Sequence, residues 1–215
     1  MNTTINIPTI RPIEKRNIFL LVVVYLVGMV GTNFNLHEQF WSLTPVNLVF
    51  SLVMVLQAHE NWNRNFVAFA IVCFATGFLI EVVGVHTGLI FGTYAYGQTL
   101  GFKIGDVPLT IGVNWLMLVY SSACVANALF RHRIVKALFG AALMVLLDFL
   151  IEPVAMAHDF WNWENGIIPI QNYIAWFVIA LFLHSLFQWK FHQVQNRVGW
   201  VLMGLQFLFF ALLLL

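Results

Sequence analysis

Residues 66–85 read FVAFAIVCFATGFLIEVVGV, an apolar run with one carboxylate, Glu81, near its end. About 20 apolar residues in a helix cross the roughly 30 Å hydrocarbon core of a bilayer, so the run predicts a transmembrane helix. The chain continues as HTGLIFGTYAYG, residues 86–97, which is rich in glycine and contains Tyr94 and Tyr96. A carboxylate buried beside two phenols and a histidine has the groups needed to move protons.

The composition of the whole chain is that of an integral membrane protein. Of its 215 residues, 61% are hydrophobic and 9% are charged, and the mean hydropathy is +0.86. A soluble domain has about 45–50% apolar and about 25% charged residues. The net charge of +1 comes without a separate basic patch, so we expect no nucleic-acid partner.

Further apolar runs of similar length predict an all-α, polytopic membrane protein with about seven transmembrane helices. Residues 1–17 are polar and are interpreted as a cytoplasmic N-terminal tail. Residues 18–215 are interpreted as a single transmembrane helical domain. The predicted spans are residues 18–34, 43–58, 66–85, 107–130, 134–151, 170–188 and 198–215.

The basic residues are divided unequally between the two ends of these spans. With a cytoplasmic N-terminus, all of the Lys and Arg residues except Lys103 fall at the inner side. Lys and Arg accumulate on the cytoplasmic side of membrane proteins. The distribution therefore favours a cytoplasmic N-terminus in a cell-membrane protein.

Three carboxylates lie at one level of this topology, towards the extracytoplasmic leaflet. Glu81 is near the outer end of the third span, and Asp148 and Glu152 are near the outer end of the fifth. Each carboxylate within a span costs about 2.5–3.5 kcal/mol, so three at one level predict a shared polar cavity. Asp148 and Glu152 are four residues apart and face one side of a helix, where one of them is expected to keep its proton. Pro153 predicts that the helix ends or kinks directly after Glu152.

The outer loops are the second part of the predicted site. Residues 86–106 and 152–169 are too apolar for solvated connections, so they are expected to fold back on the bundle. Glu81 and His86 lie about 140° apart on a helix and share a site only if that helix ends near Gly84. The side chains expected to bind substrate are Tyr94, Tyr96, Asn114, Trp115, Trp161, Asn172 and Trp176.

Three blocks of sequence within residues 66–180 stand out from the apolar runs. They read EVVGVHTG followed by FGTYAY (81–96), GDVPL leading to NW (105–115), and DFLIEPVA followed by WNW (148–163). In this order the blocks resemble the signature of the CruF-type carotenoid 1,2-hydratases, a family of carotenoid biosynthesis membrane proteins. The resemblance continues through Asn172 to Trp176.

The resemblance implies that water adds across the C1,C2 double bond of an acyclic (psi) carotenoid end group. The implied substrate is a lycopene- or gamma-carotene-like carotenoid, and no metal or redox cofactor is implied. Hydration of such an alkene needs a neutral carboxylic acid, water, and electron-rich faces near the tertiary cation. We expect Asp148 or Glu152 to donate the proton and Glu81 with His86 to orient and deprotonate water, although donor and base could be exchanged.

Other interpretations of the same residues remain open. Glu81 could pair with Lys103 at the end of a span, Asp148 could bond across helices, and His86 could lie at the membrane interface. A lycopene-cyclase-like enzyme would use the same protonation, followed by capture of the cation by an internal alkene. A membrane transporter or lipid-binding protein would use the carboxylates to carry protons. The sequence leaves the oligomeric state open.

Overall fold

The protein is described by a computed structural model that covers residues 10–34 and 38–215, so residues 1–9 of the predicted tail lie outside it. The described part is all-α, as predicted, with short strands in two of its loops. The helices are α1 (Pro12–Asn33), α2 (Thr44–Gln57), α3 (Arg64–Thr87), α4 (Thr110–Leu129), α5 (Arg133–Ala157), α6 (Ile170–Phe191) and α7 (Arg197–Leu213). The strands are β1 (Tyr94–Tyr96), β2 (Lys103–Ile104) and β3 (Val107–Pro108) between α3 and α4, and β4 (Trp161–Trp163) between α5 and α6.

Five of the helical segments in the described residues are long and apolar enough to cross a membrane, as expected for a membrane protein. They are Phe40–Gln57, which joins a 3₁₀ turn to α2, and the four helices α3, α4, α5 and α6. The apolar helix α7 is shorter.

Several helix boundaries differ from the predicted spans. Helix α1 begins at Pro12 rather than at residue 18, because Pro12 suits the first turn and the Glu14 carboxylate accepts the backbone N–H of Arg11 at 3.0 Å. Helix α4 begins at Thr110 rather than at residue 107, because Val107 and Pro108 pair with the preceding strand. Helix α5 continues past Pro153 to Ala157, so of the predicted end or kink after Glu152, the end is wrong.

Helix α4 is the centre of the bundle. Most of its residues are buried, whereas fewer than half are buried in each of the other four membrane-length segments. It packs against α2, α3, α5, α6 and α7. Large apolar side chains on the helices that surround α4, such as Ile71 and Leu79 of α3, point away from the bundle. Such an apolar exterior is what a lipid environment requires.

Close packing between α3 and α4 depends on Gly77. A Cβ atom added there would lie 2.3 Å from Cγ of Trp115. Gly77→Ala is therefore expected to lower the free energy of unfolding by about 1–3 kcal/mol through overpacking. Thermal unfolding in detergent measures the change. Gly204→Ala in α7, where nothing lies within 4 Å of the added Cβ, is the matched control and should not lower stability. Equal melting of both variants would contradict this close contact.

The α3–α4 and α5–α6 loops fold back on the bundle, as the apolar composition of both predicted, and they also pair with each other. Strand β1 pairs antiparallel with β4, and β2 pairs antiparallel with β3. The backbone N–H of Gly97 extends the first ribbon by donating to the carbonyl oxygen of Phe160 at 2.9 Å. Lys103, the basic residue weighed as a partner for Glu81, donates instead to the carbonyl oxygen of Tyr96 at 2.6 Å. The ribbon of β1 and β4 therefore covers one end of the helices.

Candidate active site

The β1–β4 ribbon aims four aromatic side chains at the bundle. Tyr94 is paired with Trp163, and Tyr96 is paired with Trp161. Alternate residues of a strand face opposite sides, so these four rings lie on the inner face while Ala95, between the tyrosines, is exposed. The ribbon thus supplies two phenol hydroxyls and two indole N–H groups to the polar layer below it.

The tyrosines of β1 bind the carboxylate of Glu81, which is buried in α3. Tyr94 and Tyr96 donate their hydroxyls to Oε2 at 2.5 and 2.8 Å, and Trp115 of α4 donates Nε1–H to Oε1 at 3.1 Å. Burial raises the pKa of both tyrosines, and the nearby Glu81 charge raises each pKa further, so both remain donors at neutral pH. All three neighbours donate, and in the described residues none of them also donates to a second carboxyl group, so the arrangement matches an ionised carboxylate.

The tryptophans of β4 bind the second carboxyl group, Glu152 of α5. Trp161 and Trp163 donate Nε1–H to Oε2 at 2.9 and 2.7 Å. Asn172, near the start of α6, donates from Nδ2 to Oε1 of Glu152 at 2.9 Å and to Oδ2 of Asp148 at 2.9 Å. One amide group therefore holds the two carboxyl groups of α5 close together.

Asp148 is the least satisfied member of the cluster. Its side chain is buried and its Oδ1 has no hydrogen-bond partner among the described residues. A buried charged oxygen without a donor is costly, and a protonated, neutral carboxyl group costs much less to bury. The geometry therefore suits a proton shared between Asp148 and Glu152, while Glu81 accepts its three donors.

Glu81 and Glu152 line the same cavity, which lies beneath the ribbon and between α3, α4, α5 and α6. Its volume is about 20 Å³, enough for one water molecule. The indole rings of Trp115 and Trp176 stack in its wall, with centroids 4.5 Å apart. The other lining residues are Phe91, Tyr94, Tyr96, Ile111, Asn114, Trp161, Trp163 and Asn172.

The cavity includes every residue predicted to bind substrate and two of the predicted catalytic carboxylates, with Asp148 joined through Asn172. The structure separates His86 from this group. Helix α3 continues past Gly84 and ends at Thr87, and it is capped by Gly88, whose φ is 66°. The half-exposed His86 instead lies with Nε2 3.7 Å from Oδ2 of Asp106, so it does not reach the cavity.

Three cavity residues were not among the predicted binding residues: Phe91, Ile111 and Trp163. The spacing Trp161-x-Trp163 matches Tyr94-x-Tyr96, and this period of two is the signal of a strand with one buried face. That pattern could have identified Trp163. Phe91 and Ile111 carry no comparable signal, because one apolar side chain in an apolar chain is not distinctive. Within the described ranges, no group of three or more His, Cys, Asp or Glu side chains could hold a metal ion.

The sequence of the chain matches a known family along most of its length. The family described as "carotenoid biosynthesis protein" matches residues 43–215, which include every residue of the cavity. The chain belongs to this carotenoid biosynthesis family. Membership confirms the resemblance seen in the three sequence blocks.

One relative of this family member is the bisanhydrobacterioruberin hydratase of Haloarcula japonica. The two proteins are 33% identical over 126 residues, which cover 55% of this chain and 43% of the relative. The chain thus covers less than half the length of that hydratase. No solved structure matches the chain significantly.

Proposed function

We propose that this family member is a carotenoid hydratase that adds water across the C1,C2 double bond of an acyclic (psi) end group. The observation that carries the proposal is that two carboxyl groups, Glu81 and Glu152, face one water-sized cavity with aromatic walls. The family and the hydratase named above support a carotenoid substrate. We take lycopene- or gamma-carotene-like molecules as the substrates to test.

The first step is protonation of the alkene by the Asp148–Glu152 pair. Glu152 lines the cavity and is the donor, while Asp148, bound to the same Asn172 amide, keeps one proton on the pair. The π electrons form a C2–H bond at the less substituted carbon and leave a tertiary cation at C1. The donor becomes a carboxylate, which then accepts the indole N–H groups of Trp161 and Trp163 without competition from its own proton.

The second step is capture of the cation by water. The stacked rings of Trp115 and Trp176 offer π faces that stabilise a nearby positive charge. Water in the cavity attacks C1, and the Glu81 carboxylate takes its proton. The product is a tertiary alcohol. A water molecule in contact with both carboxyl groups can return that proton from Glu81 to Glu152, which restores the starting state.

His86 has no part in this mechanism, because its side chain lies with Asp106 outside the cavity. Glu81 alone therefore orients and deprotonates the water. Its three hydrogen-bond donors suit this role, since they hold both oxygens in place.

In this proposal, the carotenoid reaches the cavity from the lipid bilayer. We infer seven crossings with the N-terminus in the cytoplasm, α1 and α7 joining the five membrane-length segments. The concentration of Lys and Arg at the inner ends supports this orientation. The acidic cavity then lies towards the extracytoplasmic leaflet of the cell membrane.

Expression in a host that accumulates lycopene or gamma-carotene tests the proposed reaction. Mass spectrometry of the extracted pigments should show a gain of one water for each reacted end group, absent from the same host without the protein. Growth in H₂¹⁸O should place the label in the new hydroxyl. A changed pigment of unchanged mass would indicate the cyclase-like reaction instead, and unchanged pigments would contradict any end-group enzyme.

A further inference from the structure

An apolar groove runs between α3 and α6 on the outside of the bundle. Its volume is about 430 Å³. Ile80 of α3 forms one wall, Leu89 and Ile90 form its outer end, and residues 170–179 of α6 form the other wall. Among the lining residues only Gln171 is polar. The groove faces the same surroundings as the exposed apolar side chains of both helices, and it therefore opens to lipid.

The groove and the acidic cavity lie on opposite sides of one thin wall. Ile80 lines the groove and the next residue, Glu81, lines the cavity. On α6, Ala175 lines the groove and Trp176 lines the cavity. Consecutive helical residues project about 100° apart, so the two helices expose one face to each space. The barrier between lipid and the acids is thus formed by these two helices and the side chains packed between them.

The cavity is too small for a carotenoid end group as it stands. It has room for one water molecule, whereas a cavity of about 150 Å³ is needed to hold a molecule the size of benzene. A branched alkene carrying two methyl groups must therefore displace part of the wall. The segment that closes the wall between the helices is the loop of Leu89, Ile90 and Phe91.

Phe91 is the side chain that fills this gap. Its ring is buried, lines the cavity and sits so close to α3 that a Cβ atom added at Gly84 would lie 2.6 Å from it. One hydrogen bond ties the loop to α6 across the groove: Gln171 donates Nε2–H to the carbonyl oxygen of Leu89 at 2.5 Å. Both residues are exposed, so this bond can break without opening the core.

We propose that the α3–α6 groove binds the linear polyene of the substrate and that Phe91 gates the passage of its end group to the acids. The Gln171–Leu89 bond is the latch of this gate. The inference rests on the proposed hydratase function, which requires an alkene from the bilayer to reach Glu152. A linear, apolar isoprenoid chain fits the groove, because its reacting end then meets the loop of Leu89 and Ile90, beside Phe91 of the cavity.

A reversible cross-link tests the gate. The hydration rate of the variant Leu89→Cys/Gln171→Cys is measured before and after its two thiols are joined by a short, cleavable methanethiosulfonate cross-linker, so that the variant is its own reference. Joining them should lower the rate by about tenfold or more, since closure then prevents entry, and reduction should restore it. The two single-cysteine variants, treated in the same way, are controls. The native Cys73 and Cys124 are buried and do not compete for the reagent.

A second pair of variants separates this entrance from another apolar cavity, of about 250 Å³, between α1, α2 and α7. Ala175→Trp fills the α3–α6 groove and should reduce hydration, whereas Leu48→Trp fills the other cavity and should not. Full activity of both the cross-linked protein and Ala175→Trp would overturn the groove proposal and leave the hydratase function standing. Loss in Leu48→Trp alone would assign the entrance to the other cavity. Absence of hydrated pigment with the wild-type protein would instead remove the function itself.

Discussion

Glu81→Gln should reduce hydration by about 100- to 10,000-fold, the range typical of losing a general base, and leave the fold intact. Glutamine can keep its side-chain oxygen on the N–H of Trp115 and turn its NH₂ group towards Tyr94 and Tyr96. A tyrosine hydroxyl accepts as well as donates, so those contacts survive. The substitution therefore removes the basic oxygen, and the hydroxyl protons of Tyr94 and Tyr96 must turn to other acceptors, such as water in the cavity.

The measurement is the rate of tertiary-alcohol formation per amount of protein, together with thermal unfolding in detergent. Glu164→Gln is the matched control, because Glu164 is an exposed carboxylate beside the same ribbon. It should hydrate at the wild-type rate. Activity of Glu81→Gln within a few-fold of this control would eliminate Glu81 as the base.

Glu152→Gln should lose activity to a similar extent, about 100-fold or more, and should also be less stable. The two oxygens of Glu152 accept three N–H groups, from Trp161 and Trp163 on one side and from Asn172 on the other. The NH₂ group of glutamine must face one of these sides and cannot accept. An unpaired buried donor costs about 1–3 kcal/mol, so a lower melting temperature should accompany the lost activity.

Asp148→Asn is the comparison for that variant. Its side-chain oxygen can still accept from Asn172, and its NH₂ group takes the place of Oδ1, which has no donor to lose. The NH₂ group has no acceptor there, but a protonated Oδ1 has none either, so Asp148→Asn should lose less stability than Glu152→Gln. Because Asp148 does not line the cavity, its activity should fall less than that of Glu152→Gln. A wild-type rate in Glu152→Gln, or a greater loss in Asp148→Asn, would contradict Glu152 as the donor that meets the alkene.

The apolar helices and the three carboxylates were predictable because their signals are local. The run around Glu81 is long and apolar enough to cross a membrane whatever packs beside it. The four-residue spacing of Asp148 and Glu152 places both on one side of α5 without knowledge of its neighbours. The polar layer at one end of the spans followed from counting residues between loops. The start of α1 was missed although its signal is also local. The contact of Glu14 with the Arg11 backbone begins a helix within a segment whose polar composition had indicated a tail.

The partners of those carboxylates depend on contacts between distant parts of the chain. The pairing of Tyr94 with Trp163 joins loops far apart in sequence, and its register decides that the tyrosines reach Glu81 while the tryptophans reach Glu152. The position where α3 stops decides that His86 lies outside. Hydrophobicity and residue spacing, which act along the chain, are enough to define the helices and the acids of this protein. Strand register and side-chain packing decide which donor meets which acid and how little space remains between them. Both arise only once the helices have come together.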